Sequence, residues 1–243
     1  MRKLQFALFL LVPIVNFGVQ FFADSPFSDD PENFIQPAGY AFSIWGPIFL
    51  GMIIYSWFQM KDERIESESL RKATIAGILA ALASITFVPI SYTDIQWLSL
   101  FNLLWHLSAL IWLFVNLRKQ IQLESNPNTK WYYLPTQMYL GWISAATAIG
   151  FALVIKDTSL VLSESTELLI TAVVIAVLAL VALLMISKNG GVSAIVIIWA
   201  LIGVIVANSE YDVVKYSATA AIAVIAIGLV VAVRRKRALI YGE

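Results

Sequence analysis

Eight apolar stretches divide the sequence, and each is close to the roughly 20 residues that an α-helix needs to cross about 30 Å of hydrocarbon. They are Leu4–Phe22, Tyr40–Met60, Ala73–Ser91, Ile95–Leu117, Tyr133–Ile155, Leu168–Ser187, Gly191–Asn208 and Val213–Val233. Their apolar residues run continuously instead of alternating, which favours helices over the strands of a membrane barrel. We therefore predict an all-α fold, a polytopic membrane helix bundle with about eight transmembrane helices.

The composition agrees with a chain that lies mostly in lipid. Hydrophobic residues make up 60% of the 243 residues and charged residues 13%, against about half and a quarter in soluble domains. The 16 basic and 16 acidic residues balance, so we expect membrane lipid as a partner and no nucleic acid. The chain has no cysteine, which excludes disulfides, thiolate nucleophiles and cysteine-ligated zinc.

The basic residues indicate the orientation of the chain, because cytoplasmic loops are rich in Lys and Arg. If the loops alternate sides, only Lys156 and Lys215 fall on one side. The other side holds Arg2, Lys3, Lys61, Arg64, Arg71, Lys72, Arg118, Lys119, Lys130, Lys188, Arg234, Arg235, Lys236 and Arg237. We expect both termini to be cytoplasmic and the protein to lie in the plasma membrane of a bacterium.

The first apolar stretch also has the form of a secretory signal peptide, whose cleavage would leave seven spans. Its apolar run continues to Phe22, and the bulky Phe21 precedes the best cleavage site, after Ala23. Both features favour a retained first helix.

Two short motifs predict helix ends. Ser209-Glu210-Tyr211-Asp212 has the form of a capping box before the eighth span. Asn189-Gly190-Gly191 predicts the end of the sixth span and a tight turn.

The interior of the spans contains no Asp, Glu, Lys or Arg, and His106 is the single histidine. Ion-coupled carriers, proton pumps and retinal proteins need charged residues at membrane depth, so these classes are disfavoured. His-Glu-x-x-His and Gly-x-Ser-x-Gly motifs are absent. We predict no catalytic residues, no metal site and no resident cofactor. The sequence favours a protein without enzymatic activity, but it does not decide the question.

The fourth span carries a stripe of polar and aromatic residues at helical spacing, which includes Asn102, Trp105 and Trp112, with His106 one position away from it. One interpretation is packing between helices, in which weakly polar groups join neighbouring spans. The other is an aromatic-lined pocket with a few orienting polar groups. Periodicity alone leaves both open.

Aromatic and polar residues concentrate in the first five spans, whereas the last three are aliphatic apart from Trp199. This shift in composition predicts two parts. Residues 1–157 form a five-helix bundle, and residues 158–243 add three helices and a basic cytoplasmic C-terminus.

Two segments resemble motifs of the TspO/MBR family, the tryptophan-rich sensory and translocator proteins. Pro37-Ala38-Gly39-Tyr40-Ala41-Phe42-Ser43-Ile44-Trp45 is similar to the start of that family's second helix. Tyr139-Leu140-Gly141-Trp142-Ile143-Ser144-Ala145-Ala146-Thr147 is similar to its fifth-helix pattern. The long loop 23–39 matches the family's long first loop. The resemblance covers residues 1 to about 157, so the last three spans are an addition to a five-helix core.

The resemblance implies a bundle that binds porphyrins, haem precursors or sterols beneath the first loop and that dimerises. It places Trp142 and Ala146 in the pocket wall on helix five, and Tyr40, Phe42 and Trp45 along helix two. Ser84 and Gly150 stand where the family has asparagines.

Together these observations predict an integral membrane sensory or translocator-like protein. We expect it to bind a hydrophobic small molecule, a tetrapyrrole or a sterol-like compound, in an aromatic pocket between helices 2, 4 and 5. The ligand-binding residues predicted from the span-four stripe and from the resemblance are Tyr40, Phe42, Trp45, Asn102, Trp105, His106, Trp112, Trp142 and Ala146.

Three alternatives remain at this point. A small-molecule transporter or permease subunit would use helices interrupted at Gly46-Pro47 and Pro89. An intramembrane enzyme would use His106 with Asn102 for proton transfer. A scaffold subunit would bind anionic lipid or a partner through the basic run 234–237.

Overall fold

The computed structural model describes residues 1–19, 33–61, 67–93, 95–123, 129–157 and 162–235. These residues form eight α-helices and one 3-10 helix, and they contain no β-strand. The α-helices are α1 (Arg2–Val19), α2 (Trp45–Lys61), α3 (Glu68–Ser91), α4 (Gln96–Leu123), α5 (Thr129–Asp157), α6 (Glu164–Ser187), α7 (Gly191–Ala207) and α8 (Asp212–Arg234). The 3-10 helix, Gly39–Ile44, leads directly into α2. The predicted all-α fold is confirmed.

Each predicted span overlaps one of these α-helices; the second span begins in the 3-10 helix, and residues 20–22 of the first lie outside the described residues. Within the described residues, six segments are long and apolar enough to cross a membrane: Gly39–Lys61, Glu68–Ser91, Gln96–Lys119, Tyr133–Lys156, Glu164–Ser187 and Asp212–Arg234. Helix α7 is apolar and has 17 residues, and α1 has 18. The protein is therefore a multi-pass helical membrane protein.

The helix ends only partly follow the predicted motifs. The turn at Asn189 is confirmed, because α6 ends at Ser187, Asn189 has a φ of 62° and α7 begins at Gly191. The capping box at Ser209 is wrong. The Tyr211 N–H donates to the carbonyl of Asn208 at 3.1 Å and closes a turn there, so α8 starts two residues later than a Ser209 cap requires.

Serine caps stand at two other helix starts. The Ser67 hydroxyl accepts the Leu70 N–H at 3.1 Å at the start of α3, and the Ser163 hydroxyl accepts the Thr166 N–H at 3.4 Å at the start of α6. Each cap satisfies a backbone donor that the first turn of a helix leaves open.

The chain forms two compact units, and the first draws on residues 1–26 and 44–140. In this unit α1 packs on α2 and α3, and α3 packs on α4. Buried small residues of α3 allow that close packing, as is usual between membrane helices: Ala73, Ala76, Gly77, Ala80, Ala81 and Ala83. Polar side chains link neighbouring helices as well, as where the Gln59 amide of α2 donates to the Thr74 hydroxyl of α3 at 3.0 Å.

The second unit draws on residues 27–43 and 141–239. Helices α6, α7 and α8 pack on one another in every pairing, around a core of aliphatic residues and alanines that includes Leu178, Ala182, Ile197, Leu201, Ala218 and Ile225. A Cβ on Gly141 would lie 2.9 Å from the Ser193 Cα. Only glycine therefore lets α5 approach the backbone of α7 so closely at this position.

The two compact units divide inside α5, between Leu140 and Gly141. The boundary predicted at residues 157 and 158 rests on composition and marks a different division of the chain. It stays a prediction.

Candidate ligand-binding site

His106 is the most unusual polar residue of the first unit. It lies on α4, and only 1% of its surface is exposed. Neither ring nitrogen has a hydrogen-bond partner among the described residues. A buried polar atom without a partner costs roughly 1–3 kcal/mol, so this imidazole is available to a group from outside the described chain.

Tyr139 of α5 and Trp45 of α2 form the aromatic surroundings of His106. The rings of His106 and Tyr139 meet edge to face, with centroids 4.8 Å apart and planes at 85°. Tyr139 in turn meets Trp45 edge to face at 5.8 Å, and Trp45 stacks on Phe49 at 5.0 Å. Such contacts favour fixed ring orientations. Tyr139 thus brings Trp45 and His106, two of the predicted site residues, into one cluster.

Asn102 lies one turn before His106 on α4 and is also buried, with 3% of its surface exposed. Its amide Nδ2 donates to the Thr86 hydroxyl of α3 at 2.8 Å. Its Oδ1 has no hydrogen-bond partner among the described residues. Asn102 and His106 are four residues apart and so share one face of α4.

Trp105 and Trp112 lie differently from the buried residues of α4. Each has 37% of its surface exposed, whereas Asn102, Ala109 and Asn116 of the same predicted stripe are buried. The stripe therefore runs along the edge of the packed face, with its two tryptophans on the open side.

Two more predicted residues meet in the second unit. The rings of Phe42 and Trp142 contact each other edge to face at 5.5 Å, and Trp142 is buried with 2% exposed. Ala146, one turn further along α5, is half-buried. The two motifs that carry the family resemblance thus contact each other through these two rings.

Tyr40, the remaining predicted residue, packs on α7. Its ring meets Trp199 edge to face at 5.5 Å, and the Trp199 indole N–H donates to the Ala41 carbonyl at 3.0 Å. The Ala38 N–H donates to the Gly203 carbonyl at 3.0 Å. We call residues 33–43 the α2 approach segment. It is bound to α7 by side-chain and backbone contacts.

Sequence reasoning missed three residues that organise these contacts: Tyr139, Thr86 and Trp199. Tyr139 is the first residue of the fifth-helix motif, and this position was the one sequence signal that pointed to it. Trp199 stood out as an aromatic residue in the aliphatic last three spans, but the partners of Trp199 and Thr86 could not be predicted, because they depend on which helices become neighbours. Residues 23–32 of the predicted first loop lie outside the described residues.

The family of TSPO-like proteins matches residues 4–231, from the start of α1 into α8. The chain belongs to the TSPO-like protein family. No curated protein and no solved structure matches it.

Membership of the TSPO-like family confirms the resemblance read from the two motifs. The match also continues through α6 and α7, beyond residue 157 where the resemblance ended. The family is therefore shown over the full set of helices.

Proposed function

We propose that this TSPO-like protein binds a hydrophobic small molecule, a tetrapyrrole or a sterol-like compound, in an aromatic pocket between α2, α4 and α5. The observation that carries the proposal is the buried His106, with two ring nitrogens that lack partners in the described chain and with the Tyr139 ring in edge-to-face contact with the imidazole. Ligand sites are mostly apolar and aromatic with a few placed polar groups, and this cluster has that makeup.

The predicted residues take different roles in the proposal. Trp45 forms a wall, and His106 and Asn102 supply the polar contacts. Tyr40, Phe42, Trp142 and Ala146 are wall positions carried over from the family motifs. Trp105 and Trp112, on the open side of α4, are proposed to contact ligand as it passes between lipid and protein.

The setting of the site is part of the same proposal. We infer a plasma membrane of a bacterium, with both termini cytoplasmic, lipid around the helices and two copies forming a homodimer. Residues 1–157 would carry ligand binding, and residues 158–243 would support them.

Binding is tested by titrating the purified full-length protein with protoporphyrin and, separately, with a fluorescent sterol, while tryptophan fluorescence is recorded. We expect saturable quenching by at least one ligand and weaker binding in Trp45→Phe. Trp97→Phe is the matched control, because Trp97 is 61% exposed near the start of α4. The proposal fails if neither ligand quenches, or if both variants bind as the unchanged protein does.

The helices give less support to a transporter. Helix α3 continues through Pro89 to Ser91, and Gly46-Pro47 lie in the first turn of α2, where proline is tolerated. Neither motif interrupts a helix of the described chain. Ligand flux into proteoliposomes that exceeds the flux into protein-free vesicles would nevertheless favour a transporter.

A further inference from the structure

The two unsatisfied side chains of α4 offer a specific set of hydrogen-bonding atoms. Resting on the proposed function, we propose that they select an uncharged ligand whose buried end carries a hydroxyl or N–H group. The bound group would lie between the His106 imidazole and the Asn102 Oδ1.

The orientation of Asn102 follows from its partner. The Thr86 hydroxyl donates its single proton to a carbonyl of its own helix, with the Leu82 oxygen at 2.9 Å. It can therefore only accept from Asn102, whose Nδ2 lies 2.8 Å away. A flipped amide would keep a hydrogen bond to Thr86 only if the hydroxyl gave up its bond to the Leu82 carbonyl. Asn102 thus presents Oδ1, a pure acceptor, as its open atom.

His106 adds one donor and one acceptor. Spans two to five contain no Asp, Glu, Lys or Arg in residues 40–60, 73–91, 96–117 and 133–155. An imidazolium buried without a carboxylate partner is costly, so the ring is neutral and carries one N–H and one open nitrogen. The atoms of Asn102 and His106 that lack partners in the described chain therefore offer two acceptors and one donor on one face of α4. The Asn102 amide also has a second Nδ2–H besides the one directed at Thr86.

This set of atoms fits a hydroxyl group best. A hydroxyl donates to one acceptor and accepts from the imidazole N–H, and a pyrrole N–H satisfies an acceptor in the same way. A carboxylate brings only acceptors and a charge that no Lys or Arg within these spans neutralises, so it is disfavoured. The shared chemistry is an uncharged donor on a hydrophobic body, and either a sterol or a porphyrin ester supplies it.

The experiment compares matched ligands on the full-length protein in lipid nanodiscs. The first pair is a 3-hydroxysterol and its 3-O-methyl ether, which lacks the donor. The second pair is protoporphyrin dimethyl ester and the free dicarboxylic acid. For a sterol ligand, we expect the hydroxysterol to bind about tenfold more tightly than its ether. For a porphyrin ligand, we expect the ester to bind more tightly than the acid. The pair that shows the difference identifies the ligand type.

Three variants connect that preference to the two residues. His106→Phe removes both nitrogens and should abolish the preference, whereas His106→Gln keeps a donor and an acceptor and should retain part of it. Asn116→Leu is the control, because Asn116 is a buried amide of the same helix and donates to the Trp112 carbonyl within that helix. It should leave the preference unchanged.

The outcomes separate this inference from the proposed function. If no ligand of either pair binds, the proposed function fails and the inference with it. If ligands bind but the ether equals the hydroxysterol and the ester does not exceed the acid, only the inference is overturned. Equal weakening of hydroxysterol and ether binding by His106→Phe would likewise overturn it, since the ring would then act through packing alone.

Discussion

A single hydroxyl at Thr86 determines how the buried amide of Asn102 is used. Thr86 donates to its own helix and accepts from Asn102, so one residue of α3 both joins α3 to α4 and leaves Oδ1 open. Hydrogen bonds between membrane helices contribute modestly, about 0.6 kcal/mol on average. The main consequence of this bond is therefore orientation, with stability as a smaller effect.

Thr86→Val should destabilise the protein by about 1 kcal/mol, because the Asn102 Nδ2 would lose its acceptor in a buried position. Thr147→Val is the matched control. Thr147 is buried but donates only to the Ile143 carbonyl of its own helix. Removing its hydroxyl should therefore lower the free energy of unfolding by less than Thr86→Val does. The free energy of unfolding is measured by titrating mixed micelles with a denaturing detergent. Equal costs for the two variants would contradict the role given to Thr86.

At the scale of the elements, helix α7 has a specific structural role. It holds the α2 approach segment through Trp199 and Gly203, and the Asn208 amide adds a hydrogen bond to the Gln36 carbonyl at 3.4 Å. The segment that precedes α2 is therefore held by a helix from the aliphatic part of the chain. The aliphatic composition of α7 did not predict these contacts with the α2 approach segment.

Gly203→Ala should loosen this attachment. A Cβ at Gly203 would lie 2.8 Å from the Pro37 Cβ and 3.0 Å from the Ala41 Cβ, and overpacking of this kind costs about 1–3 kcal/mol. We expect a lower melting temperature and faster amide hydrogen exchange at Ala38, whose N–H donates to the Gly203 carbonyl.

Gly46→Ala serves as the control for Gly203→Ala. A Cβ at Gly46 meets nothing within 4 Å, so the substitution should be neutral or slightly stabilising. Unchanged exchange at Ala38 in Gly203→Ala would show that α7 does not hold the segment.

At the scale of the whole molecule, the existence of each helix was predictable from the sequence. The rotation of each helix about its own axis was not. Long apolar runs have few alternatives to helices, and all eight appear in the structure. The face that each helix presents to its neighbours depends on packing, so the edge position of Trp105 and the contact of Tyr139 with His106 did not follow from spacing. The cap at Ser209 failed because a turn closed by Asn208 competed with it.

The distribution of basic residues predicts the topology of the whole chain. Because the natural chain has no cysteine, single cysteines can be introduced at exposed sites without other substitutions. Lys188→Cys and Arg235→Cys should react with a membrane-impermeant thiol reagent only from the cytoplasmic side. Glu164→Cys and Glu210→Cys should react only from the opposite side. Reaction of Lys188→Cys and Glu210→Cys from the same side would contradict eight spans.

The most direct test of ligand binding is to map where a bound ligand contacts the chain. A photoreactive sterol and a photoreactive porphyrin are cross-linked to the full-length protein in nanodiscs, and the labelled residues are identified by mass spectrometry. We expect labels near Trp45, His106 and Tyr139 that excess unlabelled ligand removes. Labels confined to exposed apolar residues such as Leu180 and Ile227, and insensitive to that competition, would contradict it.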